Sequence, residues 1–580
     1  MTWKESENNF ASWDGTRLFY REWETPVSAD KGLIVIHRGH EHSGRVAQQV
    51  KELDLPEFKA FCFDVRGHGH SPGERGYAES YYAMVKDLDA FARHVSEKHG
   101  IPMENFAILA NSVGAVTAST WVHDFAPRIR AMVLAAPALR IRLYVPLAIP
   151  GLRLLQKLKG KAFISSYVKS KMLTHDPEQC RLYDEDKLIT RNIAVNILLG
   201  LHDTATRIMD DAGAITTPTL VLSAGSDWVV KNSAQDMFFN ALSSPMKEHV
   251  LYPGFFHGVL YEKDRHLAFE KAREFIKNAF TTEVDRSKLL EADESGYTKE
   301  EYDRLQEPAN GWKALKYGSQ LMGMKSLGRL SEGIRLGLET GFDSGKSLDY
   351  VYENKARGIT PLGRMIDRSY LNAIGWKGIR ERGTLLKELL QDLIIEQLTQ
   401  DTPVRILDIA TGCGRYVLDV LKEFPGEDIS ALLRDNVPRN LEQGRALAQE
   451  MGLANVTYEE GDAFDEAALA AVSPKPTIVI VSGLYELFRV NNLVLRSLGG
   501  VAESLVDGGK LIYTGQPWHP DIEMIARTCI NREGHPWIMR RRTQAEMDEL
   551  VRSHGLVKTG MKIDSYGIFT VSVAQKRGNS

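Results

Sequence analysis

Cysteine is scarce in this chain: four residues in 580, Cys62, Cys180, Cys413 and Cys529, with no paired spacing. That scatter argues against a disulfide framework or a cysteine-based zinc module, and it fits a reduced, cytoplasmic setting. Long apolar runs are missing too. No stretch reaches the ~18 residues that a membrane-crossing helix needs, so any membrane contact is expected to be peripheral, at the inner face. The opening residues, Met1 to Asn9, are polar and lack the apolar core of a secretory signal. Charge of one sign is not in excess either: a net charge of −4 gives no overall attraction to nucleic acid. No internal repeat or low-complexity tract is visible. What is present is ordinary globular composition, 43% apolar and 26% charged, over a length too great for one core.

The chain reads as α/β throughout. Short β-branched runs at 32–37, 60–64, 106–110, 131–135, 219–223 and 249–252 alternate with helical patterns over the first 280 residues, the rhythm of a largely parallel sheet. Residues 138–215 break that rhythm, as an inserted cap would. A second series of strands, at 404–408, 429–433, 477–481 and 510–514, occupies the C-terminal third. The charged intervening stretch, 281–369, has few strand signals and is expected to be a helical linker. This gives a first domain over 1–280 and a second over 370–580.

Strand 106–110 runs straight into Asn111-Ser112-Val113-Gly114 and then a helical pattern. A serine on so tight a strand-to-helix turn needs small residues two positions either side, here Ala110 and Gly114. The turn would aim the Val113 N–H at a developing oxyanion. An acid and a histidine follow in the order this fold requires, Asp227 after one strand and His257 after the next. Asp227 would orient the imidazole, and His257 would take the Ser112 proton.

With His37-Arg-Gly-His-Glu-His-Ser-Gly-Arg45 and Asp64-Val-Arg-Gly-His-Gly-His-Ser71, these motifs resemble the monoacylglycerol lipase and lysophospholipase branch of the α/β-hydrolases over residues 10–280. The resemblance implies Ser112 as nucleophile, Asp227 as acid, His257 as base, and the Gly39 and Val113 N–H groups as oxyanion hole. Arg38 and Ala110 stand where the family usually has glycine. Arg38, beside the expected oxyanion turn, either distorts it, contacts a charged head group, or is simply solvated or paired with Glu41. His37, His40, His42, His68 and His70 fall inside the two turn motifs, and no metal site is expected from them. Between Arg140 and Lys171 eight basic residues and no acidic one are interleaved with apolar residues. That pattern suits either an anionic lipid surface or an ordinary solvated face.

The second series carries Val404-Arg-Ile-Leu-Asp408-Ile-Ala-Thr-Gly412-Cys-Gly414, a strand running into a glycine turn where backbone can approach a nucleoside. Asp435 ends the next strand, placed to accept ribose hydroxyls. Gly461-Asp462-Ala463-Phe464 offers an acid and an apolar-aromatic pair for adenine. This set resembles the class I S-adenosylmethionine (SAM)-dependent methyltransferases, with Ala410 in place of the family's first glycine. The resemblance implies SAM as cofactor, held by Asp408, Gly412, Gly414, Asp435, Asp462 and Ala463. An NAD-binding domain places glycines and an acid in a similar way, but the Gly-Asp-Ala-Phe segment and the spacing favour SAM. Tyr485, Glu486, Trp518 and His519 follow strand ends where acceptor-binding residues could sit. Arg540-Arg541-Arg542 reads as a solvated face or a phosphate contact.

The expected function is a fusion of a lipid ester hydrolase with a methyltransferase. Three alternatives stand beside it: one domain serving as a non-catalytic scaffold, acyl transfer, or thioester cleavage.

Overall fold

The computed structural model describes residues 3–27 and 29–578, and the chain divides into two compact units, 1–284 and 285–580.

In the first unit eight strands form one sheet. They are β1 (Lys4–Ala11), β2 (Arg17–Glu24), β3 (Lys31–Ile36), β4 (Phe58–Phe63), β5 (Phe106–Asn111) and β6 (Ala131–Ala135), then two further strands beyond the cap. The cap itself carries a short antiparallel pair, β7 (Phe163–Ser165) and β8 (Asn192–Ala194), and the last two sheet strands are β9 (Thr219–Ala224) and β10 (Lys247–Tyr252). The order is β1-β2-β4-β3-β5-β6-β9-β10, parallel from β4 onward and antiparallel at the β1–β2–β4 edge. The central strands are nearly continuous apolar runs, because helices cover both faces of a parallel sheet. Val35, Leu109, Val133 and Leu222 lie together in one such core.

Register decides what the strands present. Ile36 pairs with Ala110, so the turns after β3 and β5 leave the sheet side by side. Ala224 pairs with Tyr252, which does the same for the loops after β9 and β10. Between β6 and β9 the chain leaves the sheet to form the helices Ala148–Lys159, Pro177–Glu185 and Val195–Asp210.

The second unit has seven strands: β11 (Val404–Ile409), β12 (Ile429–Asp435), β13 (Val456–Glu460), β14 (Ile478–Val481), β15 (Lys510–Gly515), β16 (Leu556–Ile563) and β17 (Thr570–Lys576). Their order is β13-β12-β11-β14-β15-β17-β16. The first five are parallel, and β17 is inserted antiparallel between β15 and β16. The order reverses between β11 and β14, a topological switch point of the kind where open α/β sheets bind ligands.

Residues 281–369, expected to be a linker, are helical but do not stand between two domains; nearly all of them belong to the second unit. Phe342, Tyr350 and Val351 share a core with Trp376, Ile379 and Phe569. Asp367, fully buried, ties the segment together by accepting from the Ser331 hydroxyl (2.5 Å) and the Gly333 N–H (2.8 Å). Some of the segment's apolar residues, Phe342, Tyr350 and Val351 among them, are buried, while others such as Trp312, Leu315 and Ile359 stay exposed. The segment's charged composition concealed the buried set.

Candidate active sites

Ser112 sits between β5 and the helix Val113–Phe125 with φ 52° and ψ −110°, a strained conformation for a residue with a side chain. Its backbone is held on both sides: its N–H donates to Ala135 O (2.9 Å) and its carbonyl accepts from Ala138 N (3.1 Å). Gly114 has to be glycine, because a Cβ there would lie 2.5 Å from Ile36 Cγ2 and 2.7 Å from His37 O.

The Ser112 hydroxyl meets His257 Nε2 at 2.8 Å, and His257 Nδ1–H donates to Asp227 Oδ2 at 2.8 Å. The other Asp227 oxygen accepts from the N–H groups of Val229 (2.7 Å) and Val230 (2.9 Å). Burial alone would raise the Asp227 pKa. The imidazole and those two N–H groups outweigh it, holding the carboxyl below its usual range and ionised. All three side chains are buried. Gly39 lies against the elbow, since a Cβ there would come within 2.9 Å of Val113 Cγ2.

Arg38 is buried and takes the Glu41-paired reading. Its guanidinium forks onto Glu41, Nε to Oε2 at 3.1 Å and Nη2 to Oε1 at 2.6 Å, and stacks on the Tyr261 ring at 4.3 Å. A Cβ on Gly258 would come within 2.6 Å of Arg38 Nη1. Arg38 is therefore a strut between the Gly39 turn and the turn carrying His257. Burial would raise the Glu41 pKa, but the Arg38 charge brings it down to about 2.

The turn histidines are absorbed into local bonding: His37 Nδ1 on Arg38 O (2.7 Å), His42 Nε2 on Asp186 (2.9 Å), His68 Nδ1 on Arg66 O (3.1 Å).

In the second unit the glycine turn, the ends of β12 and β14, and the helices preceding β11 enclose a cavity of about 2090 Å³. Gly412, Gly414, Asp435, Asp462 and Ala463 all line it. Asp435 accepts from Gly412 N (2.8 Å), Val437 N (2.9 Å) and Asn440 Nδ2 (3.0 Å), so the β12 acid is fixed against the turn. Gly412, at φ 61°, would carry a Cβ that meets nothing within 4 Å, a space that a ligand can fill. Ala410 adopts φ 59°, bearing the strain that the family's glycine would avoid. Phe464 packs edge-on to Phe488 at 4.6 Å beside Ala463.

Asp408 corrects the expectation: it is fully buried and does not line the cavity. It accepts from the hydroxyls of Thr411 (2.6 Å) and Tyr416 (2.5 Å), and its Oδ1 has no partner. Desolvation pushes its pKa up to about 7 despite those two bonds, and the Asp435 charge adds to the rise. It shapes the turn from behind.

Of the acceptor candidates, Glu486 and His519 line the cavity. Tyr485 is buried core, its hydroxyl on Ser497 (3.0 Å). The three consecutive arginines form neither a solvated face nor a phosphate contact. All are buried: Arg540 pairs with Glu546 (2.7 Å), Arg541 with Glu301 (2.6 Å), and Arg542 donates to Tyr485 O (2.7 Å). Arg382, in the helix Ile374–Thr399, lines the cavity and was missed, although the sequence held a signal. It lies three residues after Ile379 and four before Leu386, on that helix's apolar stripe.

Comparison with known proteins gives a hydrolase-family domain followed by a domain of a putative methyltransferase family. A family model described as "Serine aminopeptidase, S33" matches residues 28–264, and one described as "Putative methyltransferase" matches residues 272–576. The "Uncharacterized protein YnbC" of Escherichia coli (strain K12) is 46% identical over 583 residues, covering 99% of each chain. The monoacylglycerol lipase of Mycolicibacterium smegmatis is 24% identical over 47% of this chain and 96% of its own. For the monoglyceride lipase of Homo sapiens the figures are 24%, 42% and 80%. Among solved structures, the monoacylglycerol lipase of Paleococcus ferrophilus aligns at 20% identity over 48% of this chain and 100% of its own, with a TM-score of 0.41. The chain belongs to the family of that methyltransferase model and of YnbC, with an S33-type hydrolase domain at its N-terminal end.

Proposed function

We propose that this chain is a bifunctional enzyme: a serine hydrolase that cleaves a carboxylic ester of a lipid, a monoacylglycerol or lysophospholipid, and a SAM-dependent methyltransferase. The observation that carries the first half is the continuous Asp227–His257–Ser112 hydrogen-bonded chain on a strained elbow. His257 Nε2 takes the Ser112 proton as Oγ attacks the ester carbonyl, and the oxyanion falls to the N–H groups of Gly39 and Val113. His257 then protonates the leaving alcohol, and water, activated by the same imidazole, releases the acid from Ser112. Asp227 stays ionised and steadies the imidazolium.

In the second unit Gly412 and Gly414 would let backbone approach the SAM nucleoside, and Asp435 would accept its ribose hydroxyls. Asp462, Ala463 and Phe464 would flank its adenine. When bound, SAM supplies an electrophilic methyl group. The antiparallel β17 supports this reading over a dinucleotide-binding domain, whose strand order 3-2-1-4-5-6 is mostly parallel.

The cap supports a lipid substrate. Leu147 and Leu158 are 80% and 74% exposed, Leu154 is exposed beside them, and Lys157 and Lys159 lie in the last turn of the same helix. No described helix is long and apolar enough to cross a membrane. An apolar edge among cations suits the surface of an anionic bilayer. Liposome flotation checks this: retention should rise with anionic lipid and fall with salt, and indifference to both would remove the membrane from the account.

The test of the whole reading is fatty-acid release from a monoacylglycerol and a lysophospholipid, together with calorimetric binding of SAM. Release from at least one ester and saturable SAM binding are expected. No release from either ester would refute the hydrolase half, and no SAM binding the other half.

A further inference from the structure

We propose that the methyl acceptor of the second unit is a long-chain carboxylate, its head held by Arg382 and its tail by the apolar part of the cavity wall. The inference rests on the methyltransferase reading above and gives that site its substrate class.

Size comes first. A drug-sized ligand occupies a pocket of about 300–1,000 Å³, and this cavity has about 2090 Å³. There is room for a nucleoside cofactor and a second ligand of similar bulk. The cofactor-side residues stand at the ends of β11, β12 and β13. Another part of the cavity wall is apolar: Ile334, Phe342, Trp376, Ile379, Trp537 and Met539 line it, and Phe342, Trp376, Ile379 and Trp537 pack in one cluster. Nothing so apolar is needed to hold a methionine tail, but a hydrocarbon chain requires it.

Arg382 stands where the two regions meet. It is only 9% exposed, and its guanidinium lies over the Phe569 ring at 5.2 Å. Its Nη2 would be 3.3 Å from a Cβ on Gly483, so the bare backbone at the end of β14 leaves the fork its space. Among the described residues its ion pair, to Glu486 Oε1, spans 3.7 Å, which is longer than a hydrogen bond. The guanidinium also donates a hydrogen bond to the Tyr352 side chain. A guanidinium carries five N–H donors, and burying it is costly unless they are used. A planar fork of five donors, with one hydrogen-bonded tyrosine and one long ion pair, opens onto the cavity with donors to spare for a bidentate carboxylate.

The surrounding groups favour an acceptor that arrives already ionised. An amine or alcohol must shed a proton during methyl transfer. His519 Nδ1 accepts from Asp521 N (3.0 Å), and burial lowers its pKa to about 4, so its ring lone pair is occupied. Glu486 Oε1 accepts the Thr514 hydroxyl (2.7 Å), and Oε2 is shut away from the surface. A carboxylate needs neither group. Its oxygen forms the new C–O bond as the methyl carbon's bond to the sulfonium sulfur breaks. Sulfur keeps the electron pair, the product is a neutral methyl ester, and no proton is released. Ester hydrolysis of the kind proposed for Ser112 is the class of reaction that supplies such a carboxylate.

The experiment uses the full chain carrying Ser112→Ala, so that a methyl ester product is not hydrolysed. It is given methyl-tritiated SAM with dodecanoate, dodecylamine, dodecanol or dodecyl phosphate. Label is expected in methyl dodecanoate alone, and label in any of the other three instead would overturn the proposal.

Calorimetry supplies a readout that does not depend on turnover. Dodecanoate should bind at least about 100-fold tighter than hexanoate, since each buried methylene adds affinity. Arg382→Gln should weaken dodecanoate at least tenfold and leave dodecanol within twofold, and Arg382→Lys should restore part of the loss. SAM binding serves as the folding control for both variants. Dodecanoate binding that ignores Arg382→Gln while SAM still binds would sink the proposal, and so would equal affinity for the two chain lengths. If SAM fails to bind the Ser112→Ala chain, the methyltransferase reading falls separately, and the dodecanoate isotherms still judge the apolar wall.

Discussion

The two sites of this chain are finished to different degrees. In the N-terminal unit the polar side-chain atoms of the triad are paired inside the protein, at 2.7 to 2.9 Å along the line Val229/Val230–Asp227–His257–Ser112. In the C-terminal unit polar groups around the site are less complete: Asp408 Oδ1 and Glu486 Oε2 have no partner, and the Arg382–Glu486 ion pair spans 3.7 Å. In the N-terminal site, by contrast, the unpartnered Arg38 Nη1 lies outside the triad. The difference follows from the chemistry proposed for each. A nucleophile that acts through its own oxygen must be aligned before substrate arrives, and only protein–protein bonds can do that. A site that aligns two ligands with each other keeps bonding capacity for them, and here it is Arg382, not the enclosed Asp408 and Glu486 oxygens, that opens onto the cavity to supply it.

That contrast can be broken most forcefully at Ser112. Ser112→Ala should lower ester hydrolysis by roughly 10³-fold or more while leaving SAM affinity unchanged. A fall in both would mean that the two sites are not independent. The next largest effect is expected from Asp435→Ala. Hydrogen bonds to a charged group contribute about 1.5–3 kcal/mol each, so SAM affinity should drop by at least about tenfold with ester hydrolysis unaltered, as read by calorimetry and fatty-acid release.

Asp408 sharpens the contrast through pH. Its folded-state pKa, about 7, lies above the unfolded value, so the native state binds the extra proton between about pH 4 and 7. Its contribution to stability is therefore most favourable below pH 4 and declines as pH rises through 7, by a few kcal/mol in all. The melting temperature of Asp408→Asn should fall less steeply than wild type over that range, and parallel curves would refute the assignment. The smallest effect is expected at Arg38. As a strut bonded to Glu41 it should, on mutation to Met, cost about tenfold in hydrolysis, the equivalent of 1–2 kcal/mol of misplacement. The loss should be the same on a lysophospholipid and on a neutral short ester; a loss confined to the lysophospholipid would revive a head-group role.

The same contrast governs what could be read from sequence. Ser112, Asp227 and His257 were legible because each follows a strand end in an order the fold dictates, and the parallel register then brings their turns together. The cofactor turn was legible for the same reason, although Asp408 was placed in contact when it acts from behind. The edge strands β1 and β13 were not legible, although the edge strand β10 was. β1 reads KESENNFA with only Phe10 buried, and β13 reads VTYEE with only Tyr458 buried, so neither shows the alternation that marks a strand. The helices of 285–369 read as a linker, because their charge drew more attention than the spacing of Phe342, Tyr350 and Val351. Arg540, Arg541 and Arg542 misled in the opposite direction. Three adjacent cations look solvated until their carboxylate and carbonyl partners are located in the fold, one of them 240 residues away.

The central claim, a working nucleophile held by the protein alone, is tested most directly by treating the intact chain with a fluorophosphonate and mapping the adduct by mass spectrometry. The account predicts one adduct, on Ser112, formed without SAM and abolished by Ser112→Ala. A folded chain that never labels, or labels elsewhere and equally in Ser112→Ala, would contradict it.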